Sequence, residues 1–378
     1  MRRWSVRAVV GSASIVLTLG TLVAIAPAQA APRVASASEF DAPSGLAIGE
    51  GHLWVTNEAG DSVTEINPTN GAWIGTFTRA EGYRFSQPVA ITRIQAELFV
   101  ANAGGSVTEM AADNGKLLRV IHGAPFHFAD PVAIASSGNT LLVLNSGGSG
   151  PGSITEINAR NGKFVRVISG SSYAFADPVA MSVAGADVFV ADESDNSVTE
   201  VDATNGALVR VVAGEGLDAP DGIAVQNGNV WVADSASNAA TEISAATGDA
   251  ISTYSDSGGP YGFGQPSAVI GVQGNVYVMT PFGTSPMVTK VDATTGAPAW
   301  YMCNTNGPYY FSLLSAFAVS GDDLWVASRS GANSQTPGAA TGSLTEMLIT
   351  TGALITTLPA PSTSPTTTTT STTTTTTP

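Results

Sequence analysis

The sequence predicts an all-β protein, a seven-bladed β-propeller of four-stranded antiparallel blades, and three observations predict it. A module recurs seven times: a Pro position, an Asn or Asp fourteen residues on, a Thr-Glu pair, and a Gly six residues past the Glu. The Glu position advances by 44, 47, 44, 42, 48 and 56 residues, periods that mark a repeat architecture. Each copy holds four short runs rich in Val, Ile, Phe and Trp, separated by Gly, Asn, Asp and Ser, which is the content of one propeller blade. The residue two past each Pro position is small, as close packing of innermost strands around a central axis requires.

The first strand of each blade starts at Pro43, Pro88, Pro131, Pro178, Pro220, Pro266 or, substituted, Leu314. The small residues are Gly45, Ala90, Ala133, Ala180, Gly222, Ala268 and Ala316. The second strand ends at Asn57, Asn102, Asn145, Asp192, Asp234, Thr280 or Ser328. The third carries Glu65, Glu109, Glu156, Glu200, Glu242, Lys290 or Glu346. A turn such as "DATNG" leads into the fourth, its Gly supplying the positive φ that a tight turn needs. The turn glycines are Gly71, Gly115, Gly162, Gly206, Gly248, Gly296 and Gly352.

Two of the four loops per blade keep a constant length and two vary. Second-to-third-strand spacings run 7, 6, 10, 7, 7, 9 and 17 residues, and links from the turn Gly to the next Pro position run 14 to 18. In an up-and-down blade both variable loop types share one face, so a rigid scaffold presents them together. That face is where a ligand site is expected.

The segment "LDAPDGIAVQNGNVWVADSASNAATEI" resembles the NHL-repeat family and, more loosely, its YVTN-propeller relatives. The resemblance covers roughly residues 40 to 358 and implies the fold more than any activity. This chain departs from the family in having Thr-Glu where the third strand usually carries Arg. Gluconolactonase-like relatives imply a divalent metal at the pore mouth, and Asp221 matches one of their ligand positions. The equivalent residues here are Ser44, Val89, Val132, Val179, Ser267 and Ser315, a poor donor set for a hard cation. The histidines implied by virginiamycin-lyase-like relatives are absent from the matching strand ends.

Residues 1–30 read as a secretory signal peptide: Arg2, Arg3 and Arg7, an apolar run, and Ala28 and Ala30 in "APAQAA", which suit a cleavage site just before Ala31. A short N-terminal segment, 31–39, follows, then the propeller to residue 360. The run "PSTSPTTTTTSTTTTTTP" at 361–378 reads as a disordered Thr/Pro-rich tail. The expected location is secreted or cell-wall associated, with no membrane insertion after signal cleavage and a monomeric state. Fifteen basic residues stand against thirty acidic ones, for a net charge of −15, which excludes nucleic acid as a partner. Cys303, the only cysteine, is expected to be a buried apolar residue.

No nucleophile elbow, zinc-protease motif or P-loop occurs. His122 and His127 lie too irregularly for a metal pair, and "DESDNS" after Ala191 reads as a solvated turn rather than a Ca²⁺ loop. No catalytic residue or metal ligand is assigned. The candidate ligand-binding residues are Asp221, the ring Asn57, Asn102, Asn145, Asp192 and Asp234, and the link aromatics Tyr83, Phe126, Tyr173, Tyr261 and Tyr309. Competing expectations are that the ring residues cap their own turns and that the aromatics are core. The Glu ladder is expected to be half-buried and bonded to backbone. The functional expectation is a binding scaffold for a protein or glycan at the cell surface. The alternative is a metal-dependent lactonase-, hydrolase- or lyase-like propeller enzyme with its site near Asp221.

Overall fold

The structure is a computed structural model that describes residues 40–255, 261–281, 286–303, 311, 313–329 and 342–358. The signal-peptide, N-terminal-segment and Thr-rich-tail expectations, and Tyr309, lie outside the described residues. Within them the chain forms seven four-stranded antiparallel sheets. Each sheet takes four consecutive strands, as in the first blade: Pro43–Gly49, His52–Asn57, Ser62–Ile66 and Trp73–Thr78. The other blades span 88–122, 131–168, 178–213, 220–255, 268–303 and 314–358. The sixth begins at Ala268, two residues later than its Pro would place it.

First strands of neighbouring blades pack side by side around the axis, including the seventh against the first. The small residues make this approach possible. A Cβ on Gly222 would lie 2.6 Å from the Ala268 Cα, and one on Gly45 3.2 Å from the Ala90 Cα.

Two bulges recur. In six blades the first strand slips register after its first residue, as between Pro43↔Asn57 and Gly45↔Thr56. The extra residues are Ser44, Val89, Val132, Val179, Asp221 and Ser315. A second slip, in all seven blades, lies between third and fourth strands, and its extra residues include Ile74, Leu118, Val165, Val209, Ile251 and Ile355. A bulge twists the strand and unpairs one residue. On the outer strand it interrupts an open edge that would otherwise template further pairing, and it leaves these apolar side chains exposed.

The core is a ring of inter-blade clusters. Its deepest residues are second-strand side chains such as Trp54, Phe99, Trp231, Tyr277 and Trp325, all fully buried. Among the described residues no shared strand closes the ring. The seventh and first blades are joined by side chains instead, with Phe40 packed against Trp325, Leu344 and Leu358. The Gly342 N–H donates to the Phe40 carbonyl at 2.7 Å. Cys303 is buried, as expected.

The seven turn glycines do two jobs. Each donates its N–H to the carbonyl four residues earlier, as Gly71 to Asn67 at 2.9 Å, with φ between 66° and 82°. Each also faces a side chain of the preceding blade. A Cβ on Gly115 would lie 2.0 Å from the Phe77 ring, one on Gly296 2.2 Å from Tyr254, and one on Gly71 2.7 Å from Leu358.

Candidate functional site

The first-strand bulges aim their extra residues into the central opening on the variable face. There Ser44, Val89, Val132, Val179, Asp221, Ser267 and Ser315 line a cavity of 610 Å³ together with Glu58, Pro281, Leu313, Leu314 and Arg329. A cavity of this size is in the range that holds a small ligand or the anchoring group of a larger one.

Within that wall the ring of first-strand residues is two-sided, with Pro281, Leu313 and Leu314 adding apolar groups from blades six and seven. Blades two to four contribute valines, whereas blades five, six, seven and one contribute Asp221, Ser267, Ser315 and Ser44. Glu58 and Arg329 form an ion pair at the rim, joining loops of the first and seventh blades. Two of the serines are turned to their neighbours: Ser44 Oγ donates to the Pro88 carbonyl and Ser315 Oγ to the Pro43 carbonyl, each at 2.6 Å. Burial and the nearby Glu193 charge push the Asp221 carboxyl up to about 6. Asp221 therefore changes charge near neutrality, as a partly desolvated carboxylate does.

The ring of Asn and Asp residues lies beneath this mouth, fully buried. Asn102 takes the Ser86 N–H on Oδ1 and donates from Nδ2 to the Ser106 and Thr108 hydroxyls, at 3.2 to 3.3 Å. Asn145 repeats this with Ala129, Ser153 and Thr155. Asn57 donates to Ser62 and Thr64. Asp192 accepts from the Asp177 and Asp195 N–H groups, and Asp234 from that of Asp218. These side chains fasten second strand, third strand and incoming link to one another. Asp234 titrates at about 7, raised by burial.

The link aromatics lie between blades. Tyr83, Tyr173 and Tyr261 donate their hydroxyls to the carbonyls of Gly115, Gly206 and Gly296 at 2.9, 2.8 and 3.0 Å. Their own carbonyls accept from Thr108, Thr199 and Thr289. Phe126 stacks on Phe128 and meets Phe164 edge-on. None of these four lines the central cavity; of the candidate residues, Asp221 does.

The Glu ladder departs from expectation. It is buried, not half-buried, and its partners are side chains, not backbone. Glu109, Glu156 and Glu200 pair with the Nε of Arg119, Arg166 and Arg210 at 2.7, 2.8 and 2.8 Å. Each Arg stands opposite its Glu on the fourth strand. Two of them reach on to the next blade's turn, Arg119 to the Arg160 carbonyl and Arg166 to that of Thr204. Elsewhere the partner changes: His52 for Glu65 at 2.6 Å, and Tyr254 and Asn229 for Glu242. Lys290 donates to the Ile349 carbonyl at 3.1 Å and sits over Tyr277 and Trp300. The signal in the sequence was the Arg ten residues past each of three glutamates.

His122 and His127 do not converge on a common point. His122 meets Arg84, and His127 lies beside Phe164. Among the described residues no cluster of three His, Cys, Asp or Glu side chains is arranged to hold a metal ion. Nor is any described helix long and apolar enough to cross a membrane.

No known family's model matches the chain, and no curated protein does. Among solved structures it is similar to the computationally designed Ika8 protein, with a TM-score of 0.62 at 16% identity over 86% of this chain and 89% of that one. It is similar also to Kuenenia stuttgartiensis hydrazine synthase, with a TM-score of 0.48 at 18% identity over 59% of this chain and 64% of that one. The first likeness is one of fold alone. The chain is a seven-bladed β-propeller, and that fold is consistent with a binding scaffold.

Proposed function

We propose that the protein is an exported binding scaffold that takes a protein or glycan ligand on its variable face, with the central cavity holding the ligand's anchoring group. One observation supports this most: the residues after the Pro positions are valines in blades two to four and Asp221 or serines in the rest, so the cavity offers apolar surface, to which Pro281, Leu313 and Leu314 add, beside Asp221 and the Glu58–Arg329 pair. A sugar ring or an amphipathic side chain has the same two faces, one of C–H groups and one of hydrogen-bonding groups. The bulges that build the wall lie on first strands packed side by side around the axis, and a site built on paired strands costs less ordering on binding than one on free loops. The opposite face is taken up by clasps between blades.

Glycan arrays and displayed peptide libraries test this. Ligands found with the wild-type chain should lose at least tenfold in affinity to Val132→Trp, which fills the mouth, while the thermal midpoint stays within a few degrees. Undiminished binding by Val132→Trp would contradict the reading.

Asp221 is the one carboxylate among the first-strand bulge residues, which keeps a metal-dependent hydrolase or lyase as the second reading. Its test is the thermal midpoint of residues 31–360 in chelator and in excess Ca²⁺, Mg²⁺, Mn²⁺ or Zn²⁺. A metal at a hundred times its Kd stabilises the folded state by about 2.7 kcal/mol. A shift that Asp221→Ala abolishes supports this reading; no shift with any metal removes it.

A further inference from the structure

A second cavity, of 290 Å³, opens between the first and second blades, and its polar lining is cationic. Arg79 and Arg84 enter from the link, His122 from the end of the second blade's fourth strand, and Ser86 and Ser106 supply hydroxyls. This is unusual in a chain with twice as many acidic as basic residues.

Arg84 has no carboxylate partner among the described residues; its guanidinium Nη1 lies 3.0 Å from the His122 Nε2. Arg79 keeps only a long pairing with Asp61, at 3.7 Å. The nearby Glu81 carboxylate is occupied by the Thr78 N–H and hydroxyl. Two guanidiniums and an imidazole that accepts from one of them thus line one small space, with Asp61 the single counter-charge paired to either Arg among the described residues.

The backbone fixes where the Arg84 side chain starts. The residue four before the Pro position is left-handed in every described copy: Arg84 at φ 56°, His127 at 51°, Ala174 at 53°, Gly216 at 86° and Gly262 at 70°. Glycine is the unstrained choice there, and the fifth and sixth blades use it. The second, third and fourth blades place Arg84, His127 and Ala174 there instead, and in the second blade the residue so placed is a long cationic side chain at the cavity. The loop below it is the shortest of its type, and its Gly104 and Gly105 leave the opening clear. A Cβ on Gly104 would lie 2.4 Å from the Ser86 hydroxyl oxygen, so the glycine also lets Ser86 come close.

We propose that this cavity binds a tetrahedral oxyanion, a phosphate or sulfate group, free or carried on a sugar. Paired guanidiniums with hydroxyls and an imidazole match the several oxygens of such a group. The inference stands independently of the central-cavity reading.

Isothermal titration calorimetry of the full chain, at constant ionic strength against sodium chloride, tests it with sodium sulfate, sodium phosphate, glucose 6-sulfate and glucose 6-phosphate. Saturable one-site binding of at least one probe is expected. Arg84→Gly should weaken it at least tenfold without lowering the thermal midpoint, because the glycine relieves the left-handed φ. His122→Ser, on the facing wall, should weaken it too, and decides the matter should Arg84→Gly fold poorly. Tighter binding of the inorganic ions assigns a free anion; tighter binding of the sugar esters assigns an anionic sugar. No saturable binding of any probe, or binding unchanged in both variants, would overturn the proposal.

Discussion

The Ser315 hydroxyl donates to the Pro43 carbonyl at 2.6 Å, tying the innermost strand of the seventh blade to that of the first across the point where the ring closes. Ser44 makes the same bond to Pro88 one blade on. A bulge that aims a side chain into the central cavity therefore also aims it at the neighbouring strand, and where that side chain is one of these two serines it fastens the blades.

Phe40 is a dominant contact where the described strands of the seventh and first blades meet. Phe40→Ala should destabilise the protein by about 3–5 kcal/mol, the usual cost of emptying a buried phenylalanine site. Ser315→Ala should cost about 1 kcal/mol, the net worth of one hydrogen bond. Urea unfolding followed by tryptophan fluorescence measures both.

The Glu109–Arg119 pair is predicted to be costly to halve and cheap to delete. Arg119→Met leaves the fully buried Glu109 without its cation, at about 3–5 kcal/mol. The double variant Glu109→Met with Arg119→Met should recover most of that loss, since an apolar pair of similar volume leaves no buried charge. A double-mutant cycle in guanidinium chloride checks this.

Glu346 gives a pH dependence with a definite sign. Burial and the Asp323 charge raise its carboxyl from 4.5 to about 7, and it makes no ion pair among the described residues. The folded state holds the proton where the unfolded chain releases it, so the site's stabilisation is complete below about 4.5 and is lost as pH rises through 7. Glu346→Gln should therefore raise the thermal midpoint at pH 8 and leave it unchanged at pH 4. An equal effect at both values would refute the assignment.

Turn and contact effects at the glycines separate cleanly. Gly138→Ala, at φ 58° with open space around its Cβ, should cost only the left-handed penalty, about 1–2 kcal/mol. Gly296→Ala, at φ 69° with the Tyr254 ring 2.2 Å from its Cβ, should cost clearly more. Equal costs by chemical denaturation would show that the glycine is not needed for blade packing.

The fold was legible because it rests on local rules repeated seven times. Pro positions, small third residues and Gly turns each satisfy a requirement of strand start, axial packing or φ, so their spacing carries the blade count. The sites were less legible because they depend on what breaks the repeat. The residue after each Pro reads as an ordinary strand residue, and only the bulge turns Asp221 and the valines into the cavity wall. Repetition in every blade favours Asn102 and Asn145 as caps of their own turns over ligand residues, and their burial and bonds to the incoming link are what the sequence does not display. Tyr83 looks like a loop aromatic until its hydroxyl is seen on the Gly115 carbonyl. Arg84 gave no motif at all; its meaning comes from a left-handed φ and from an imidazole 38 residues away in sequence.

Methyl NMR of the isotopically labelled chain, titrated with a ligand taken from the glycan or peptide screens, tests the central claim most directly. Shifts concentrated on Val89, Val132, Val179, Leu313 and Leu314, around the central cavity, are the predicted result. Shifts confined to outer-edge residues such as Val165, Val209 and Ile251, with the cavity valines unmoved, would contradict it.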